Sequence, residues 1–302
     1  MSESVHVFQV DAFTTERFSG NPAGVVLDAD NLSDTQMQLI ARELNNGDTA
    51  FLLKPDAPDH DLRVRFFTPR AEAGFVGHAT VAAHAVLAQL GHRPLPRQKQ
   101  RSGIVQVSVQ RTARGERTEA ANIAIAQPPP RLQSAPPAAA LAEALTALGI
   151  SSAELDQRLP PIIAGDASTR LLLAVNNAAT LSRLAPDLSL LAALSTTVGA
   201  LGYFLYTLNP ALPNCHTEAR MYCPALGIPE DPVSGNAHGM LGAYLWRQGL
   251  LPAGGTHFVG AQGHFMGRAG SVRIDAQQAS GTLTGVTISG HAVVVFETTI
   301  SL

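Results

Sequence analysis

The sequence predicts an α+β fold of two pseudo-symmetric domains, each a central apolar helix wrapped by a curved, mostly antiparallel β-sheet. Three observations carry this expectation. First, one pattern occurs twice: Arg65-Phe66-Phe67-Thr68-Pro69 leads through Glu72 to Gly77-His78-Ala79-Thr80, and Arg220-Met221-Tyr222-Cys223-Pro224 leads through Glu230 and Asp231 to Gly235-Asn236-Ala237-His238. The copies lie about half the chain apart, the mark of an internal repeat. Second, each copy opens an apolar run (79–90 and 237–250) with small or apolar residues on every face, as expected of helices buried on all sides. Third, strand-like segments stand before and after both runs, and 302 residues are enough for two cores.

In chain order, residues 5–11 alternate as a strand and 23–27 read as another. Between them Phe18-Ser19-Gly20-Asn21-Pro22-Ala23-Gly24 is richer in small residues than a hairpin needs, and Asn21 is a candidate lining residue of a site. Ser33 and Gln36 form a capping box. Met37, Ile40 and Leu44 give the following helix one apolar stripe, which ends near Asn45-Asn46-Gly47. Asp48 then stands at a loop-to-strand junction, where a carboxylate is ordinarily solvated. Strands are expected at 49–53, 62–67, 103–109 and 122–126.

The proline-rich stretch 127–137 cannot hold regular structure and marks the connection between domains 1–127 and 128–302. Beyond it, helices are expected at 138–148 and 188–194, and strands at 171–175, 203–207, 256–260, 271–274, 285–289 and 292–298. His84, inside the first apolar helix, reads as a packed core histidine.

Composition excludes several functions. With 21 basic and 24 acidic residues the net charge is −3, and no basic cluster lies beside interleaved aromatics, so nucleic acid is not an expected partner. Cys215 and Cys223 are too few for a disulfide framework, lack metal-ligand spacing, and read as ordinary strand residues. No leader or membrane-spanning run is visible, so a cytoplasmic, soluble protein is expected. No paired histidines at ligand spacing and no dinucleotide fingerprint occur, so neither metal nor cofactor is expected.

The chemistry concentrates at the two helix starts. A helix N-terminus offers unpaired N–H groups and a partial positive charge, which suits a substrate carboxylate without a basic side chain. Ser234 or Asn236 acting as an ordinary cap is the alternative.

Together these motifs resemble the PhzF-like family of phenazine-biosynthesis-type isomerases, from the first strand to the last. The resemblance implies a diaminopimelate-epimerase-like fold with its active site in the interdomain cleft, a final strand (about 290–302) that joins the N-terminal domain, and homodimers. It implies cofactor-free proton movement between carbons of a small carboxylated substrate. Residue by residue it places the catalytic groups at Asp48, His78 and Asp231, and substrate contacts at Asn21, Glu72, Gly77, Gly235 and Asn236. Two departures stand out: Asp48 is one methylene shorter than the glutamate usual in the family, and Asn236 replaces the common serine. Related two-thiol racemases carry cysteines where this chain has Val76 and Ser234, which excludes that chemistry.

The expected mechanism has Asp48, its pKa raised by enclosure, remove and return a proton. His78 and Asp231 position polar groups or relay protons. Binding of a metabolite without turnover, and a lyase or hydratase reaction at a similar carbon acid, are the alternatives.

Overall fold

The computed structural model describes residues 4–110, 113–114, 117–118, 121–252 and 255–302. The chain divides into two compact units, Met1–Gln127 with Ser289–Leu302, and Pro128–Ile288.

The first unit contains β1 (Ser4–Ala12), β2 (Asn21–Val26), α1 (Asp34–Leu44), β3 (Asp48–Leu53), β4 (Leu62–Phe67), β5 (Glu72–Ala73), α2 (Gly77–Gln89), β6 (Arg97–Gln100), β7 (Gly103–Gln110), the short pair β8 (Ala113–Arg114) and β9 (Arg117–Thr118), and β10 (Asn122–Gln127). Helix α2 is buried from Ala79 through Ala88 and packs on β1, β2, β3, β7 and β10. An all-round apolar sequence produces this placement, because no face can be left to water. Helix α1 has the predicted box: Ser33 Oγ accepts from the Gln36 N–H, and Gln36 Oε1 accepts from the Ser33 N–H. Its stripe of Met37, Ile40 and Ala41 covers the opposite face of the sheet with Val5, Val7, Val26, Phe51 and Leu53.

The second unit contains α3 (Ala138–Leu148), β11 (Ile162–Ala164), β12 (Arg170–Ala174), α4 (Ala178–Ser182), α5 (Leu188–Val198), β13 (Gly202–Thr207), β14 (Thr217–Cys223), β15 (Ile228–Asp231), α6 (Gly235–Arg247), β16 (His257–Gln262) and β17 (Gly270–Ala279). Helix α6 is the buried one here, and α3 and α5 cover the outer sheet face through Leu145, Leu148, Leu191 and Leu194, which cluster with Leu171, Leu173 and Tyr203 of the sheet. Each unit therefore has helices on both faces of its sheet, one more layer than the sequence predicts.

The registers show the repeat. Strands β2 and β3 run parallel with Ala23 opposite Asp48, and β12 and β13 run parallel with Arg170 opposite Gly202. Thr49 pairs with Phe67 as Tyr203 pairs with Tyr222. Parallel β4 and β6 set Leu62 opposite Gln98, and parallel β14 and β16 set Thr217 opposite Gly260. These parallel steps interrupt the mostly antiparallel sheet that was expected. Parallel neighbours need a crossover connection, and α1, α2, α4–α5 and α6 supply it.

The structure corrects several boundaries. The segments before each central helix are not loops alone, since Glu72 and Glu230 lie on the short strands β5 and β15. Helix α6 stops at Arg247, short of residue 250. The last two expected strands are one, β18 (Thr282–Ser301), which begins in the second unit and pairs with β1 in the first. Cys223 ends β14 and is buried, whereas Cys215 lies outside any strand, its thiol donating to the Leu212 carbonyl. Asn214, in the left-handed region at φ 62°, turns the chain there, and Pro213 before it has no N–H for a strand ladder. His84 is a core residue, its Nε2 3.0 Å from Gln98 Oε1.

Candidate active site

Asp48 is the first residue of β3 and is almost wholly buried. The turn that delivers it is fixed. Helix α1 ends in a left-handed Asn45, and the side chains of Asn46 and Gln9 exchange amide hydrogen bonds of 2.8 and 3.0 Å. Successive side chains of a strand point to opposite faces, so Asp48 looks toward His78 of α2 while Thr49 looks the other way, toward Gly24. Asn21 begins β2 two residues before Ala23, the partner of Asp48, and is buried on that same face.

His78 is the second residue of α2. Its Nε2 lies 3.8 Å from Asp48 Oδ2, with the two side chains 11% and 12% exposed. That is beyond hydrogen-bond range, and Nε2 is buried with no hydrogen-bond partner. Burial pushes the imidazole pKa down to about 4, so the ring is neutral near pH 7. The helix start beside it lacks a side-chain cap, because Val76 stands at the N-cap; Thr80 Oγ1 donates back to the Val76 carbonyl at 2.9 Å. Gly77 and His78 thus bring N–H groups and a positive dipole end to a buried carboxylate–imidazole pair.

The second unit builds its helix start differently. Ser234 caps α6, its Oγ accepting from the Ala237 N–H at 3.3 Å. Gln262 clamps the approach, accepting from the Ser234 N–H at 3.1 Å and donating to the Asp231 carbonyl at 2.7 Å. Asp231, Gly235 and Asn236 are held together in this segment, with Gly235 buried and the other two half-buried. His238 donates through Nδ1–H to the Ser234 carbonyl, 2.9 Å away, and burial lowers its pKa to about 4 as well.

Glu72 does not fit the role of substrate contact. Arg65 Nε and Nη2 donate to its two carboxylate oxygens at 2.8 and 3.0 Å. Glu230 is engaged in the same way by Arg220, at 2.8 Å for both bonds. The arginines also sit over Phe67 and Tyr222, 5.1 and 5.3 Å from the ring centroids. This repeated fork ties the short strand to its long neighbour and aims the chain at the helix start, which is a framework role. The sequence reading also missed Gln9 and Asn46, whose pairing spans 37 residues and leaves no local pattern. Val76 and Ser234 occupy the two N-cap positions, so no thiol flanks either helix start.

The family model for phenazine biosynthesis-like proteins (PhzC-PhzF) matches residues 10–298. The chain belongs to this family. An uncharacterized isomerase YddE of Escherichia coli O157:H7 is 38% identical over 295 residues, covering 96% of each chain. The crystal structure of the Bacillus anthracis PhzF-family phenazine biosynthesis protein superposes with a TM-score of 0.86 at 27% identity, covering 99% of this chain and 100% of the other. A hydroxyproline epimerase from Agrobacterium vitis shares the fold, with a TM-score of 0.65 at 11% identity over 99% and 91% of the two chains. By this membership the PhzF-family chain is an isomerase-type enzyme. Among its described residues, no helix is long and apolar enough to cross a membrane, and no three His, Cys, Asp or Glu side chains are grouped to hold a metal ion.

Proposed function

We propose that this protein moves a proton between carbons of a small, carboxylated, unsaturated metabolite bearing an amino or hydroxy group, using side-chain acid and base groups alone. The observation that carries this reading is the Asp48–His78 pair: a buried carboxylate 3.8 Å from a buried imidazole nitrogen that has no hydrogen-bond partner. Two groups at that separation can both reach one bridging substrate atom at about 3 Å, which is the reach required of a general base and its partner. Asp48 takes the proton from carbon and returns it elsewhere on the conjugated system. The neutral His78 ring and the N–H groups at Gly77 hold the oxygen or nitrogen on which negative charge develops.

Asp231, Gly235 and Asn236 serve the same reaction as polar contacts to the substrate, and the working form is a homodimer. The relatives named as isomerases support the reaction class. Deposition of new signals in NMR spectra of candidate unsaturated amino and hydroxy acids is the experiment. Wild type converts one of them to a positional isomer of equal mass, and Asp48→Asn does not. A product lighter by water or carbon dioxide would instead assign a lyase, and binding without any product would assign a metabolite-binding role.

A further inference from the structure

Arg170, the first residue of β12, is only 7% exposed, yet its guanidinium has almost nothing to bind. Nη1 donates to the carbonyl of the neighbouring Thr169 at 2.9 Å, and Nε is buried with no hydrogen-bond partner. Among the described residues no carboxylate forms an ion pair with it. Arg220, on β14 on the far side of β13, shows how this unit treats a structural arginine: Glu230 takes it in a fork, and the Leu181 and Leu184 carbonyls accept from Nη1. A buried cation without a counter-ion is strongly unfavourable unless a ligand supplies one.

Space for this side chain comes from Gly202. A Cβ there would lie 2.9 Å from Arg170 Cδ, 3.1 Å from Nε and 2.5 Å from Cys223 Sγ. Cys223 does not neutralise the charge, since burial pushes its thiol up to about 12.

The registers give the position its meaning. Tyr203 pairs with Tyr222 as Thr49 pairs with Phe67, so Gly202 is the counterpart of Asp48. Arg170 lies opposite Gly202 as Ala23 lies opposite Asp48. This face of β13 looks toward α6, because Phe204, two residues on, meets His238 edge-on at 5.1 Å between centroids. In the first unit the side chain at 48 reaches the second residue of the central helix, His78, and the matching residue of α6 is Asn236. The Arg170 guanidinium stem fills the place that a side chain at 202 would take, so by the symmetry of the registers it stands toward the α6 start as the Asp48 carboxylate stands toward that of α2.

We propose that Arg170, together with the α6 start at Gly235 and Asn236, forms a carboxylate-binding site that holds the acid group of the substrate. The substrate half of this statement rests on the isomerase reading; the anion site itself does not. Guanidinium and carboxylate match as a planar, two-bond pair, and the partial positive charge of the helix adds to the attraction.

The test is a titration of the full chain, labelled with nitrogen-15, with anthranilate and with the neutral anthranilamide. The Arg170 Nε–Hε signal is identified by its loss in Arg170→Lys. Anthranilate shifts that signal and the amide leaves it in place. Arg170→Gln weakens anthranilate binding about tenfold to a hundredfold, and Arg170→Lys weakens it less. A signal unmoved by anthranilate, equal shifts with both compounds, or unchanged affinity in Arg170→Gln would overturn the proposal. Should Arg170→Gln fail to fold, the wild-type titration decides alone. Proton exchange plays no part in this readout, so anthranilate binding without exchange on any substrate would remove the isomerase reading and leave the anion site standing.

Discussion

Nε2 of His78 stands 3.8 Å from Oδ2 of Asp48, too far to bond it and near enough for one substrate atom to touch both. The pair is set by two unrelated devices, a helix start without a side-chain cap and a turn locked by Gln9 and Asn46. Asp48→Asn keeps the shape and removes the base. Turnover should fall about 10²- to 10⁴-fold, the range for a lost general base, while the thermal midpoint stays near that of wild type. A fall in both together would assign Asp48 to stability instead.

The Asn46–Gln9 pair offers a separate prediction. Gln9→Leu leaves the Asn46 amide without its partner in a partly buried place, at a cost of about 1–3 kcal/mol. Because Asn46 fixes the turn before Asp48, kcat should also drop, and denaturant unfolding alongside kinetics separates the two effects.

The two arginine forks differ in depth. Arg65 is 25% exposed and also binds the exposed Asp34, whereas Arg220 is 11% exposed and also binds two main-chain carbonyls. Arg220→Met should therefore destabilise by about 3–5 kcal/mol, because it strands Glu230 and the carbonyls. Arg65→Met should lose less, since water replaces part of what is lost. Adding Glu230→Leu to Arg220→Met recovers some of the loss, as measured by urea unfolding.

Acid should unfold the protein through its histidines. His78, His84 and His238 each have a pKa lowered to about 4, in every case first of all by burial. An unfolded histidine takes up its proton near pH 6.5. Between these values the unfolded chain binds more protons than the folded one, so stability is full above about pH 6.5 and falls as pH drops toward 4. Each residue contributes at most about 1.4 kcal/mol per pH unit in that window. His84→Gln, which can still bond within the core, should make the pH dependence of unfolding shallower. An unchanged slope would show that His84 is not buried in its neutral form.

Gly260 predicts a packing effect of the opposite kind. A Cβ there would lie 2.2 Å from His238 Cδ2, while one at Gly47 meets nothing within 4 Å. Gly260→Ala should destabilise by about 1–3 kcal/mol, and Gly47→Ala should leave the midpoint almost unchanged. Calorimetric scans of the two variants make the comparison.

Much of this architecture is legible in the sequence because its signals are local. The capping box needs four residues, and a helix apolar on every face can only be central. The repeated arginine, acidic residue and glycine mark the same structural unit twice. What escaped depends on contacts between distant segments. Residues 285–289 and 292–298 read as two strands, but Gly290 between them lies inside β18, where a Cβ would come within 2.6 Å of Phe13 Cδ1. The glycine permits a close approach and makes no turn. Glu72 reads as a substrate contact because its position matches a motif; only the fold shows Arg65 taking both of its oxygens. Arg170 opens an apolar run as an unremarked strand end, and its meaning depends on the empty place at Gly202, more than thirty residues on.

The central claim is that Asp48 moves protons to and from carbon. Solvent deuterium incorporation tests it most directly, followed by NMR in heavy water on a panel of small unsaturated amino and hydroxy acids with wild type and Asp48→Asn. The account predicts a compound whose carbon-bound proton exchanges with wild type and stays in place with Asp48→Asn. Exchange at the same rate with both proteins, or its absence for compounds that bind, would contradict it.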